Sequence, residues 1–223
     1  MSNTIELFSG SCSFSNVRKE YGDYIFTIDN IKDYNPDLCI DILKLGDHDR
    51  LKDINVLWAS PPCTTFSVAS IGTHWKGGSN AYEPKTKECE IGLKILEKTI
   101  KIISITKPKY WYIENPRGVM RKVIDKLFQK YGLTYKRNTI WYCQYGDTRG
   151  KPTDIWTNNF TWIPKPVCKN YRYDKEGNII NKHCHHEQAR RGAKTGTQGL
   201  KNDYYRSRIP RELFIELRGY EEV

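Results

Sequence analysis

The sequence predicts an α/β protein built on one open, mostly parallel sheet with helices on both faces, and two observations predict it. Over the first 150 or so residues, short apolar runs alternate with helical stretches, the order that builds parallel sheets through crossover helices. Three conspicuous polar side chains, Asp29, Cys63 and Glu114, each stand just past the carboxyl end of an apolar run. Ligands of open α/β sheets sit at that edge.

Taken in order, residues 5–8 form a strand and residues 15–21 begin a helix. Residues 24–28 form a strand ending at Asp29, and residues 56–59 form another. Residues 64–85 are polar, carry Gly72, Gly77 and Gly78 and show no period. A loop of that length inside a compact domain is usually functional, and it begins beside Cys63, so it is a natural lid. Residues 87–105 are a long amphipathic helix, with Ile91, Ile95, Ile102 and Ile105 among its apolar positions. A strand over 110–113, a helix near 119–131 and a strand over 139–142 follow. From 158 to 205 the alternation stops and Asn, Lys, Gly, His and Arg take over. The expected organisation is therefore a catalytic domain (1–157), a small basic lobe or insertion (158–205) and a helix returning to the first domain (206–223).

The chain has 223 residues and a formal net charge of +10. No stretch of about 18 apolar residues occurs, and the first residues lack a basic region followed by an apolar run. Seven cysteines without framework spacing read as reduced thiols in a cytosol-like compartment. A generic lysine-rich surface would give the same charge, so the arginines discriminate better. Arg190, Arg191, Arg206, Arg208 and Arg211 crowd the C-terminal quarter beside Tyr204 and Tyr205, a combination suited to phosphate and base contact. The expected partner is nucleic acid.

Leu57-Trp58-Ala59-Ser60-Pro61-Pro62-Cys63 reads as a buried strand end, two prolines and a displayed thiol. The prolines hold the backbone extended, which aims Cys63 rigidly, and a thiolate is a strong nucleophile once its pKa is lowered. A buried structural cysteine is the alternative. Leu7-Phe8-Ser9-Gly10-Ser11-Cys12-Ser13 is a strand-to-helix turn of small residues, which lets a ligand approach the backbone. Asp29 follows it at the spacing where a carboxylate meets ribose hydroxyls; a surface turn with a solvated Asp is the alternative. Glu114, at the end of an apolar strand, can be held protonated by its surroundings, or it is a capping or salt-bridged glutamate.

Together these motifs resemble the DNA cytosine-5 methyltransferase family. Phe8-Ser9-Gly10 is similar to its S-adenosylmethionine turn, Asp29 to its ribose-binding acid, and Asp41-Ile42 to the pair that meets the adenine. Pro61-Pro62-Cys63 matches the Pro-Cys nucleophile motif, and Glu114-Asn115 the Glu-Asn-Val motif. Tyr145-Gly146 with Lys151 resembles the Tyr-Gly-x-Pro-Gln-x-Arg-x-Arg segment, and Arg208-Ile209-Pro210-Arg211-Glu212-Leu213 a C-terminal Leu-Thr-Pro-Arg-Glu stretch. Order and spacing hold over residues 5–156 and 206–220. The departures are Ser11, Cys12 and Ser13 in place of glycines, Lys151 at the first arginine of its segment, Thr153 at the second and Arg149 offset. No Gly-Asn-x-Val-Pro element occurs. Such compaction resembles phage or prophage members that accompany restriction-modification systems.

The resemblance implies a Rossmann-like S-adenosylmethionine-dependent methyltransferase fold and methyl transfer to carbon 5 of a flipped cytosine in double-stranded DNA. It assigns Cys63, Glu114 and Lys151 to catalysis and Phe8, Ser9, Gly10, Asp29, Asn30, Asp41, Ile42, Ser60 and Pro62 to S-adenosyl-L-methionine. DNA contact is expected from Ser67, Arg149, Arg190, Arg191, Lys194, Thr195, Thr197 and Gln198. A monomer in the cytoplasm of a bacterium or a phage-infected cell is expected. A catalytically inert DNA-binding relative, or an enzyme acting on RNA or a modified pyrimidine, stays open. Cys168, His183, Cys184, His185 and His186 invite a zinc reading, but adjacent ligands cannot all face one ion, so a polar loop approaching phosphates is the expectation and no metal is assigned.

Overall fold

The computed structural model describes residues 2–78, 81–168, 171–173, 176, 179–182 and 203–221. Seven strands form one sheet: β1 (Asn3–Leu7), β2 (Tyr24–Asp29), β3 (Leu38–Cys39), β4 (Val56–Ala59), β5 (Tyr110–Pro116), β6 (Lys136–Trp141) and β7 (Pro152–Thr157). They lie in the order β3-β2-β1-β4-β5-β7-β6. The pairs from β3 to β5 are parallel, and β7 runs antiparallel between β5 and β6. The open, mostly parallel sheet expected from the alternation, and the Rossmann-like fold implied by the resemblance, are what the structure has. Two short strands, β8 (Tyr171–Tyr173) and β9 (Ile179–Lys182), pair with each other outside it.

Successive side chains of a strand face opposite sides of the sheet, so a strand buried on both faces feeds two cores. Leu57 and Ala59 of β4 join the larger core, and Val56 and Trp58 the smaller one. The helices are α1 (Ser13–Glu20), α2 (Ile71–His74), α3 (Lys87–Thr106), α4 (Met120–Lys130), α5 (Asp203–Ser207) and α6 (Arg211–Glu221). Leu96, Ile100 and Ile103 of α3 with Ile124 and Phe128 of α4 fill the larger core. Phe14 and Val17 of α1 with Leu213, Phe214 and Leu217 of α6 fill the smaller. Each such side chain contributes roughly 1.5–3 kcal/mol by leaving water, which is what fixes these helices to their faces. A buried ionic cluster fastens α6 to α1: Arg18 bridges Asp23 at 2.7 Å and also meets Glu221, and Arg218 reaches Asp23 at 3.0 Å.

Four sequence expectations change. The strand expected over 110–113 continues to Pro116 because β7 pairs with its far half, Glu114 lying opposite Ile155. Glu114 thus sits inside a strand, beyond the point where the parallel pairing with β4 ends at Ile113. The strand β7 was not expected at all. Residues 158–168, assigned by composition to the lobe, include Asn159 and Trp162, which are buried in the smaller core against Tyr112. The loop over 64–85 contains α2 and is anchored by buried Phe66 and Trp75, the indole donating to the Thr65 carbonyl at 2.6 Å.

Candidate active site

The order of the sheet reverses at β1, which leads to β2 on one side and to β4 on the other. The crevice between the carboxyl ends of β1 and β4 is therefore the switch point where open α/β sheets bind ligands. Two cavities lie there. The smaller, about 40 Å³, is lined by Phe8, Ile28, Asp29, Asn30, Ile40, Asp41, Ile42, Pro62 and Ile95. The larger, about 150 Å³, shares Phe8 and Pro62 and adds Ser9, Gly10, Ser60, Cys63, Glu114 and Lys151, with Glu6 on its wall. All nine residues expected at the cofactor and all three expected in catalysis line one or other cavity.

The turn after β1 is unusual backbone. Phe8, Gly10 and Cys12 all have positive φ, at 61°, 43° and 52°, and non-glycine residues in that region mark strain kept at functional sites. Two carboxylates hold it. Asp29, nearly buried, accepts from Gly10 N and Ile31 N at 2.9 Å each, one amide to each oxygen. Each oxygen keeps a lone pair for a hydroxyl donor. Glu6, buried at the end of β1, accepts from Ser15 N at 3.0 Å and from the Ser15 hydroxyl, so it caps α1 from a neighbouring strand. Burial pushes its pKa up to about 7, the Ser15 bonds opposing. Glu6 was missed in the sequence; its signal was an acid one residue before the apolar end of a strand leading into a helix. Asp41 caps the short helical turn of Ile42–Lys44 by accepting from Leu43 N at 3.0 Å.

Cys63 is solvent-accessible, and its position is fixed by what surrounds it. Asn115, fully buried, donates to the Pro61 carbonyl at 2.9 Å and ties the end of β5 to the Pro-Pro-Cys turn. Phe66 N and Ser67 N both donate to the Cys63 carbonyl at 3.0 Å. Val119 N donates to Phe66 O at 2.8 Å, an approach that needs Gly118, since a Cβ there would lie 2.1 Å from that carbonyl oxygen. Ser67 itself is half-buried and pairs its hydroxyl with Ser70.

Glu114 is buried, and the Tyr142 hydroxyl donates to its Oε1 at 2.9 Å. Ser60, expected at the cofactor, also hydrogen-bonds this carboxyl while accepting from Trp58 Nε1 at 2.8 Å. Burial raises the Glu114 pKa, opposed by Lys151, Tyr142, Ser60 and Arg149. Crowding by the cavity walls raises the Cys63 thiol, Lys151 opposing and Glu114 adding to the rise. The Lys151 ammonium lies 4.9 Å from the Tyr142 ring centre and 3.4 Å from the Arg206 carbonyl. A thiol, a carboxyl and an ammonium thus line one cavity next to an apolar slot edged by acids.

The expectation that Arg149 contacts DNA is corrected. Its side chain is buried and paired with Asp147, and its guanidinium also donates to the carbonyls of Tyr205, Arg206 and Arg208 at 3.2, 3.0 and 2.7 Å. It braces the segment leading into α6 from inside, with no face left for a phosphate. Arg190, Arg191, Lys194, Thr195, Thr197, Gln198 and the His183-Cys184-His185-His186 cluster lie outside the described residues. Cys168 is buried, and among the described residues no three potential ligands group to hold a metal ion. Among them, no helix is long and apolar enough to cross a membrane.

A thiol and a carboxyl beside adjacent strands face a crevice at the switch point of a Rossmann-like sheet. The chain belongs to the C-5 cytosine-specific DNA methylase family, whose model matches residues 4–142. It is 28% identical over 220 residues to the probable DNA (cytosine-5)-methyltransferase of Frog virus 3 (isolate Goorha), covering 96% of this chain and 97% of that one. Among solved structures it resembles a putative DNA modification methyltransferase encoded within an E. coli prophage, with a TM-score of 0.51 and 13% identity, over 78% of this chain and 58% of that one. It also resembles a mutant of Spodoptera frugiperda DNMT2, with a TM-score of 0.47 and 20% identity, over 73% of this chain and 52% of that one. The chain therefore spans just over half the length of those two structures.

Proposed function

We propose that this chain methylates carbon 5 of cytosine in double-stranded DNA, with S-adenosyl-L-methionine as donor and Cys63 as covalent nucleophile. The observation that carries the reading is that Cys63 and Glu114 line the same cavity, which adjoins the slot edged by Asp29 and Asp41. The slot suits the donor chemically. Ile28, Ile40, Ile42 and Ile95 offer apolar surface for a flat ring, and Asp29 has acceptor capacity for ribose hydroxyls. When bound, the donor supplies an electrophilic methyl group.

The side chains do the rest. Carbon 5 of cytosine is a poor nucleophile. The Cys63 thiolate adds to carbon 6, its electron pair forming the carbon–sulfur bond while ring electrons move toward carbon 5. Glu114 in its protonated form donates to the ring nitrogen, and the same carboxyl accepts from the exocyclic amine, stabilising the charge that develops there. Lys151 holds a positive charge beside both groups, easing deprotonation of the thiol. After methyl transfer, loss of the carbon 5 proton lets the ring electrons expel Cys63. Since the target base is stacked in duplex DNA, it must leave the stack, at a few kcal/mol, and the anchored loop that begins after Cys63 is placed to close over it. DNA contact is proposed for Ser67, Arg190, Arg191, Lys194, Thr195, Thr197 and Gln198, the last six belonging to the basic and polar lobe.

Incubation with labelled donor and unmethylated duplex should label cytosine at carbon 5, and duplex carrying 5-fluorocytosine should retain the protein covalently. Cys63→Ala should abolish both. A Cys63→Ala protein that still methylates at the parental rate would remove the nucleophile from the reading.

A further inference from the structure

Tyr142 belongs to neither cavity wall, yet it touches most of the charged groups of the site. Its hydroxyl donates to Glu114 Oε1 at 2.9 Å. Its ring is flanked by two cations, the Arg149 guanidinium at 5.4 Å and the Lys151 ammonium at 4.9 Å from the ring centre. Thr153, fully buried on β7, stands beside the phenol, and its own hydroxyl donates to the Lys151 carbonyl at 3.4 Å. The segment that carries Thr153 has a second arginine there in the family pattern. This chain has no cation at that position: neutral Thr153 stands beside the Tyr142 phenol, and the phenol alone reaches the carboxyl.

We propose that Tyr142 is the positioning residue of the Glu114 carboxyl: by donating to Oε1 it keeps that oxygen an acceptor, so the acidic proton is carried on Oε2. An oxygen already receiving an O–H bond is the less basic of the two, and a buried phenol held between two cations has no freedom to turn away. The hydroxyl also stabilises the carboxylate form, together with Lys151, Ser60 and Arg149, against burial. Cys63, Asp147 paired with Arg149, Arg206 and Glu6 on the cavity wall are the other titratable groups around this cluster. The proposal rests on the catalytic role given to Glu114 above, but its first test does not.

Tyr142→Phe keeps the ring between Arg149 and Lys151 and removes only the donor. In protein carrying carboxyl-labelled glutamate, the Glu114 resonance, identified by its disappearance in Glu114→Gln, is titrated without DNA or donor. A hydrogen bond to a charged group is worth about 1.5–3 kcal/mol, so the midpoint should move up, with acid dissociation weakened about tenfold or more. Thr153→Val should move it the same way by less, and serves if the first variant does not fold. In turnover, kcat should fall about tenfold with KM for S-adenosylmethionine unchanged, because Tyr142 lines no donor wall. The limb of the pH profile belonging to Glu114 should shift upward while that of Cys63 stays. A Glu114 midpoint unmoved or lowered in Tyr142→Phe overturns the proposal. A shifted midpoint in a parent that transfers no methyl group overturns the proposed function instead and leaves the positioning contact standing.

Discussion

Replacing Gly118 by alanine should disable the site without touching any group in it. The added Cβ would lie 2.1 Å from Phe66 O and 3.1 Å from Phe66 C, and both neighbours are backbone, so no side chain can swing aside. The loop must retreat by roughly 1 Å, the scale of misplacement that costs about 100-fold in rate. The retreat also stretches the 2.8 Å bond from Val119 N to Phe66 O. A lost hydrogen bond of about 1 kcal/mol and overpacking of about 1–3 kcal/mol give a destabilisation of about 2–4 kcal/mol. For a chain of this length that lowers Tm by about 5–12 °C. The displacement reaches Cys63 because Phe66 N and Ser67 N both hold its carbonyl at 3.0 Å. Calorimetry and single-turnover methyl transfer measure the two consequences separately. The control is Gly219→Ala, an exposed position inside α6 with nothing within 4 Å, which should be neutral or stabilising by up to about 1 kcal/mol. A Gly118→Ala protein as stable and as fast as the parent would refute the claim that this close approach sets the position of the Cys63 thiol.

Arg149→Gln should destabilise by about 3–5 kcal/mol, since it strands Asp147 and three carbonyls, while the slope of log Kd for DNA against log salt stays parental; a phosphate contact would lower that slope by about one. Glu6→Gln should flatten stability against pH. The folded pKa of this acid, about 7, lies above its usual 4.5, so its burial is tolerated in full below pH 4.5 and stability falls as pH rises from 4.5 through 7. The loss of about 3 kcal/mol over that window should vanish in the variant when urea titrations at pH 5 and pH 8 are compared. Glu114→Gln should abolish methyl transfer yet speed alkylation of Cys63 by iodoacetamide at pH 8, because it removes a charge that raises the thiol. Lys151→Met should slow the same alkylation, and a reversed order of these two rates would contradict the electrostatics of the site.

The legible part of this protein was the part written locally. The alternation of apolar runs and helices placed β1, β2, β4 and β5 in the sheet, and the residues after each strand gave Phe8, Asp29 and Cys63. What stayed hidden depends on distant pairing. The strand β7 opens on Pro152, a residue that reads against a central strand, and only its pairing with β5 shows that Glu114 lies within a strand. Arg149 looks like a surface cation in the chain, and its burial is set by Asp147 and by carbonyls 56 or more positions away. Tyr142 reads as one more aromatic at a strand end, because its partners Glu114 and Thr153 come from two other strands. Trp162 was lost for a different reason: it stands in a segment grouped with the basic lobe, and its apolar neighbours Phe160, Ile163 and Val167 are exposed, so no local pattern singles it out.

The two acidic groups of the cavity share one cation, and that sets when the thiol becomes reactive. Lys151 is the largest charged influence on both Cys63 and Glu114, and it favours the ionised form of each. Attack on a ring needs the thiolate together with a protonated carboxyl. The state with thiol and carboxylate holds the same number of protons, so pH alone does not choose between them. Burial raises both groups, and Lys151 opposes that rise at both, so the surroundings of the two groups set which of them holds the shared proton. On the proposed function, a base in the cavity would favour the thiolate with the protonated carboxyl: its ring nitrogen pairs only with the protonated form, and its bulk removes the water that a carboxylate needs. A proton drawn to Glu114 in this way also relieves Cys63 of the nearby negative charge that raises it. Recognition of the ring edge and activation of the sulfur are then one event, and a base that offers no acceptor at that edge leaves the nucleophile protonated.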